Sequence, residues 1–265
     1  MHLPVLLRSL VSRGGRGPVV GHLSAPLADE EIERLYRDQV LTPEFYGEGY
    51  SRDLAAAPRR ASRDMAGAIV RHLAPRRTLD VGCGVGALVA EIRRAGVDGA
   101  GCDFSDAFLE RAPRRARGHL TRQDVAALGY EDGAFDVVTC MEVLEHLPER
   151  VIDQAVAELR RVARGVVVVT TPSFGPNPHG PDGIPVTEPD WREDAAAGRR
   201  FRRIILDERG LPHCGHLTLA TYAWWTERFL RHGLRRDPDL ERAMMEGPPA
   251  LRRWRWNLYA LRAAT

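Results

Sequence analysis

Thr78-Leu79-Asp80-Val81-Gly82-Cys83-Gly84-Val85-Gly86 is the stretch on which the reading of this chain turns. A short apolar run, Thr78 to Val81, ends in a glycine bend and passes into Gly86 to Ala95, whose pattern predicts a helix. Glycine lets the backbone turn sharply and lets a ligand approach the main chain closely. The helix start behind the bend offers unpaired amides and partial positive charge. About twenty residues further on lies Asp103, at the end of the next predicted strand, where a carboxylate can accept both hydroxyls of a ribose. Two patterns fit. Gly82, Gly84 and Ala87 match the dinucleotide fingerprint G-x-G-x-x-G/A. Asp80, two residues before Gly82, instead gives D-x-G-x-G-x-G. An acid there suits a ligand with an amino acid portion and does nothing for a pyrophosphate, which is already anionic.

Strands and helices alternate outward from this bend. Val97 to Cys102, His119 to Thr121, Phe135 to Met141 and Val166 to Thr170 read as strands. Asp106 to Arg117 and Pro148 to Ala163 read as helices, the second carrying Val151, Ile152, Ala155, Val156, Leu159 and Val162. Continuous apolar strands are covered on both faces, as in a parallel sheet. The alternation therefore predicts an α/β, doubly wound, Rossmann-like domain. Before it, residues 1–28 read as a mobile leader and residues 29–75 as a helical cap, with helices over Asp29 to Val40 and Met65 to Leu73. Residues 76–172 form the expected core. Residues 173–217 carry six prolines and read as a lid over the substrate, because a long irregular segment is more often functional than passive. In residues 218–265, Thr218 is the expected N-cap of a helix over Leu219 to His232, stopped by Gly233. Trp254, Trp256, Leu258 and Ala260 alternate with polar neighbours and predict a final edge strand.

Composition narrows the function. At 265 residues the chain has one large domain or one domain with additions, with 44% hydrophobic and 28% charged residues, ordinary for a globular protein. It contains no lysine, so all 38 basic side chains are arginines, and the formal net charge is only +2. That balance leaves no electrostatic footprint for nucleic acid, and the arginine pairs read as solvated helix ends. No apolar run is long enough to span a membrane, and Met1 to Leu10 lacks a basic leader and a cleavage site. Cys83, Cys102, Cys140 and Cys214 are widely spaced, which predicts reduced thiols in a cytoplasmic protein.

A second motif makes the reading specific. Phe135-Asp136-Val137-Val138-Thr139-Cys140-Met141-Glu142-Val143-Leu144-Glu145-His146-Leu147 follows the glycine bend in order. Together the two segments resemble the class I S-adenosylmethionine-dependent methyltransferase family, notably its ubiquinone-biosynthesis O-methyltransferase type. The resemblance spans about residues 60–172 and implies a seven-stranded sheet and S-adenosyl-L-methionine as cofactor, with S-adenosyl-L-homocysteine as product. It implies that Asp80, Gly82, Cys83 and Gly84 line the methionine part, that Asp103 holds the ribose and that Phe104 flanks the adenine. Asp124 with Val125 matches the acid at the adenine amino group, and Met141 and Glu142 would lie under the cofactor.

Transfer to a hydroxyl needs a proton acceptor, and histidine suits that role near neutral pH. His146 follows the fourth core strand at the sheet's carboxyl edge, and His216 precedes the last helix; both are candidate bases. His213, Cys214 and His216 do not form a standard zinc pattern, and no metal is expected. His179, Trp191, His213 and Trp224, with Tyr46 and Tyr50, supply hydrogen bonds and flat platforms suited to a sugar or glycosylated natural product. The expected activity is O-methylation of a small metabolite by a monomer or homodimer. The alternatives are N-methylation of an amino sugar or other amine, a nicotinamide-dependent oxidoreductase, and a non-catalytic cofactor-binding module.

Overall fold

The computed structural model describes residues 21–42, 60–246 and 257–264. Residues 1–20 of the expected 1–28 leader, Tyr46, Tyr50, Trp254 and Trp256 lie outside them; the rest of that leader is tied down, Ser24 and Leu27 donating their N–H to the Ile204 and Arg202 carbonyls.

β1 (His22–Leu23) leads into helix α1 (Asp29–Leu35), which winds on through a π-helical turn, Tyr36–Val40. Helix α2 (Arg60–Leu73) precedes the core. There β2 (Arg77–Val81), α3 (Ala87–Arg94), β3 (Asp98–Asp103), the short α4 (Asp106–Leu109), β4 (Leu120–Arg122), β5 (Phe135–Met141), α5 (Glu149–Val162) and β6 (Ala163–Thr170) follow in turn. The 173–217 segment contributes β7 (Ser173–Phe174), α6 (Pro189–Ala196) and β8 (Ile205–Leu206). The chain then forms β9 (Ala220–Thr221), α7 (Tyr222–Arg231), β10 (Leu234–Arg236), α8 (Pro238–Met245) and β11 (Leu258–Ala263).

The seven-stranded sheet runs β10-β11-β6-β5-β2-β3-β4, with β11 the one strand that runs against the others. Its strands bury both faces. Val138, Cys140, Val167 and Val169 enter one core, while Val137, Val166 and Val168 enter the other, as the two-residue period of a strand requires. The chain leaves β2 towards β3 and β4, then returns to build β5 on the opposite side. A crevice therefore opens above the carboxyl ends of β2 and β5, where such sheets bind ligands.

Three local expectations need correction. The helix expected to run from Asp106 to Arg117 ends at Leu109, because Pro113 has no N–H to continue it. The helix expected over Leu219 to His232 starts at Tyr222, and its cap is Thr221, whose hydroxyl accepts the Trp224 N–H at 3.2 Å. Thr218 instead donates its hydroxyl to the Leu147 carbonyl at 2.7 Å. The final strand is not an edge. β11 lies between β10 and β6, and Leu258 to Leu261 are all buried.

The 173–217 segment packs around a core of its own, in which Trp191 stacks on Phe201 at a centroid distance of 5.0 Å and meets Phe174 edge-on. Buried Arg200 ties it to the N-terminal region through Asp29 and the Leu27 carbonyl.

Candidate active site

The bend after β2 is held from below. Gly82 and Cys83 both donate their N–H to the Cys102 carbonyl on β3, at 2.8 and 3.0 Å. Gly82 has φ +70°, a conformation L side chains rarely adopt, and a Cβ there would stand 2.3 Å from Val143 Cγ2. Its lack of a side chain thus serves the packing of two loops against each other. Asp80 and Thr139 are register partners across β2 and β5, and the Thr139 hydroxyl donates to Asp80 Oδ1 at 2.6 Å. Asp103, at the end of β3, accepts the N–H of Gly84 at 2.8 Å and of Ser105 at 3.0 Å.

Above this bend lies a cavity of about 1030 Å³. Asp80, Gly82, Cys83, Gly84, Asp103, Phe104, Asp124, Val125, Met141 and Glu142 all line it. So does His146. The carboxyls of Asp80 and Asp103 are nearly buried, and neither pairs with an arginine among the described residues. Burial, helped by the charge of Asp103, pushes Asp80 up to about 7, and the bond from Thr139 opposes the rise. Burial also raises Asp103, although three backbone bonds oppose it. Two buried acids with no arginine paired to them suit a ligand that brings its own positive charge. A carboxylate has about four acceptor positions, so Asp103, with its bonds to Gly84 and Ser105, retains room for a diol. Phe104, unusually exposed for a large apolar ring at 37%, offers a flat neighbour. The residues present therefore fit S-adenosylmethionine.

Beyond β5 the chain turns sharply at Glu142, whose φ of +55° is strained for a residue with a side chain. A 3₁₀ turn, Leu144–His146, follows. Here the structure joins two distant pieces of sequence. The Glu145 carbonyl accepts the N–H of Leu217 and of Thr218, at 2.8 and 2.9 Å. That pinning places the His216 ring edge-on against His146, centroids 5.0 Å apart, with His216 Nε2 4.0 Å from Glu145 Oε1. Burial pushes His146 down to about 4 and holds His216 well below the usual histidine range. Both imidazoles are neutral at pH 7. Glu145 is fully buried, and burial, then the charge of Glu142, raises its carboxyl far above the carboxylate range. Glu145, His146 and His216 present ligand atoms within 4.8 Å of one another, a donor set that a divalent cation fits.

His216 does not line the cavity; it stands behind His146. The other acceptor candidates among the described residues are not on its wall either. Trp191 is wholly buried, with its indole N–H donating to the Arg203 carbonyl at 2.9 Å. Trp224 is buried under the Arg228 guanidinium, 4.6 Å from its ring, and Trp225 beside it is buried too. His179 lies near Glu241, and the half-buried His213 rests 3.2 Å from the Cys214 thiol. What sequence reasoning missed is Glu145. It sits in the quoted motif next to His146, but only the fold shows that it is buried against His216. Tyr36, within the helix expected over Asp29 to Val40, also lines the cavity, its hydroxyl raised to about 12 by burial and by the charge of Asp124.

The sheet order, the glycine bend and the paired acids define a class I S-adenosylmethionine-dependent methyltransferase fold. Residues 78–165 match the family model described as a methyltransferase domain. The ubiquinone biosynthesis O-methyltransferase of Methylococcus capsulatus is 38% identical over 107 residues, covering 37% of this chain and 44% of that protein. The protein of the same name from Ralstonia nicotianae is 42% identical over 83 residues, 29% of this chain and 35% of that one. The chain thus spans less than half the length of these curated relatives. Among solved structures, the 1,6-didemethyltoxoflavin-N1-methyltransferase of Burkholderia thailandensis, bound to S-adenosylhomocysteine, superposes with a TM-score of 0.56 at 15% identity, over 93% of this chain and 95% of that one. The CcbJ methyltransferase of Streptomyces caelestis gives 0.52 at 20% identity, over 80% and 92%. Both share the fold. No helix among the described residues is long and apolar enough to cross a membrane.

Proposed function

We propose that this protein transfers a methyl group from S-adenosylmethionine to a hydroxyl of a small, largely apolar acceptor. The observation that carries the reading is His146, a neutral imidazole on the wall of the same cavity as Asp80 and Asp103. The bound cofactor supplies a methyl group already activated on a sulfonium sulfur. The protein's task is alignment, which can supply roughly 7–11 kcal/mol of barrier reduction. The acceptor hydroxyl must also lose a proton, and His146 takes it. His216 and Glu145 act through His146 by fixing its ring. Val40, Leu41, Val143, Leu147 and Val151 line the cavity beyond the cofactor residues, and they suit an aromatic or hydrocarbon-bearing hydroxyl compound better than a polyol. The hydroxyl-methylating relatives agree with this reading.

The test is a mass-spectrometric screen of phenols, catechols, sugars and amines for methylated product and S-adenosylhomocysteine. Phenols or catechols should turn over. His146→Ala should lower turnover by about 10²–10⁴-fold with the affinity for S-adenosylhomocysteine retained. Equal activity in that variant on an amine acceptor would instead support N-methylation. Chelator treatment separates the two uses of the Glu145 cluster: loss of turnover restored by a divalent cation assigns it to a metal, and unchanged turnover to holding His146.

A further inference from the structure

Glu145 is a fully buried acid, and neither of its carboxyl oxygens has a hydrogen-bond partner among the described residues. The Thr171 hydroxyl lies nearby but falls short of a bond, and it too is buried without a partner among them. Buried polar atoms left in this way are rare and costly. What the fold brings to Glu145 is a pair of imidazoles. His216 Nε2 stands 4.0 Å from Glu145 Oε1, and the His146 ring meets that of His216 edge-on. One ligand atom from each of the three residues falls within 4.8 Å of the other two.

Zinc holds its ligand atoms about 2.0–2.2 Å away, which sets neighbouring ligands of a tetrahedron about 3.4 Å apart. The three donors therefore have to close by no more than about 1.4 Å around the ion. Two imidazole nitrogens and one carboxylate are a set that zinc and its late first-row neighbours take, whereas magnesium favours oxygens. The backbone carbonyls of Gly215 and Glu142 accept hydrogen bonds from the His146 ring. A ligating histidine is commonly held in this way through its other nitrogen. The expectation of no metal rested on His213, Cys214 and His216 as neighbours in sequence; two of the donors come instead from the turn after β5.

Resting on the methyltransferase reading above, we propose that Glu145, His146 and His216 form a site for one zinc-like divalent cation, and that filling it switches methyl transfer off. Glu145 and His216 are not on the cavity wall, so a cation drawn to all three donors sits behind that wall, away from the acceptor. A neutral imidazole carries one N–H and one nitrogen lone pair. Coordination takes the lone pair. The remaining nitrogen is then an N–H, which donates and cannot receive the proton of the acceptor hydroxyl.

The test uses the full chain, stripped with a chelator, and zinc chloride as the probe. Calorimetry should show one zinc bound per chain. Glu145→Gln and His216→Ala should each weaken it at least a hundredfold while keeping the affinity for S-adenosylhomocysteine, which also shows that both variants fold. Cobalt(II) in the same site should give the visible bands of a four-coordinate ion without a thiolate charge-transfer band. Zinc should protect His146 from carbethoxylation by diethyl pyrocarbonate, read by mass spectrometry, and should stop turnover of phenols, both at the concentration that half fills the site. The turnover that remains in His216→Ala should need at least a hundredfold more zinc to stop. No zinc bound by the stripped chain, binding that survives both substitutions, a thiolate band pointing to Cys214, or zinc that displaces S-adenosylhomocysteine overturns the assignment. Zinc that raises turnover overturns the switch, and with it His146 as the base. A chain that binds zinc as described but not S-adenosylhomocysteine keeps the site and overturns instead the reading on which the switch rests.

Discussion

Asp103 does two jobs with one carboxyl. It closes the bend after β2 by accepting the Gly84 N–H, and it faces the cavity, where the proposed function has it accept the ribose. Asp103→Ala should therefore weaken S-adenosylhomocysteine by about 1–3 kcal/mol, the loss expected for hydrogen bonds to a partly buried polar ligand. Calorimetry checks this, and unchanged affinity would move the ribose elsewhere. His146 carries a different signature. An ordinary histidine, at 6.5, gains a proton as pH falls through 6.5 and stops accepting one from substrate. Burial holds His146 at about 4, so it stays neutral well below that point. Turnover at saturating cofactor and acceptor should show no loss between pH 8 and about pH 5.5. A drop centred near 6.5 would assign the base to some other, solvated group.

Among the elements, α8 shows how a surface helix is locked to the sheet. Arg236 on β10 and Glu241 on α8 form a bidentate pair, both 4% exposed, and Arg236 also bonds Asn177 Oδ1 at 3.2 Å and lies over the rings of Tyr222 and Tyr259. Glu241 further accepts the Ala260 N–H on β11 at 3.2 Å. Removing one partner leaves the other charge buried and unpaired, so Glu241→Ala should destabilise the fold by about 3–5 kcal/mol in denaturant unfolding. A loss below about 1 kcal/mol would mean that Arg236 finds water instead. This pair had no signature in the sequence: two charged residues five apart read as surface. The same limit divides what was legible at the site. The glycine bend, Asp80, Asp103 and the 135–147 motif could be read because each is local and each element holds its own ligand-facing residue. The partnership of Glu145 with His216 could not, since 70 residues of chain separate them and two backbone bonds from Leu217 and Thr218 create it. Trp191 and Trp224 misled for a related reason. A tryptophan in a proline-rich stretch, or on the helix that follows it, looks available to a ligand until Phe174 and Phe201 are seen to cover Trp191 and Arg228 to cover Trp224.

For the whole molecule, the buried acids couple cofactor binding to pH. Asp80 is raised from 3.8 to about 7 in the unliganded fold, so the native chain holds a proton there that the unfolded chain has lost. Its contribution to stability is full below pH 3.8 and disappears as pH rises through about 7. His146, lowered from 6.5 to about 4, works in the opposite sense: its contribution is present above pH 6.5 and is lost as pH falls through about 4. Across the shared window the two slopes oppose each other. A cationic amino group settling beside Asp80 favours the carboxylate and removes the first slope, so binding must expel the Asp80 proton whenever the pH lies below about 7. Affinity for S-adenosylhomocysteine should then weaken as pH falls from 8 to 5.5, by up to about tenfold per unit once the site is mostly protonated. The thermal stabilisation that a fixed excess of ligand gives should likewise be larger at pH 8 than at pH 6. Titrations at pH 6 in two buffers of different ionisation enthalpy should report release of close to one proton, and almost none at pH 8.5. Asp80→Asn should abolish that release. Proton uptake on binding, or release that persists in Asp80→Asn, would place the titrating group outside this acid pair and leave the positive end of the ligand without its partner.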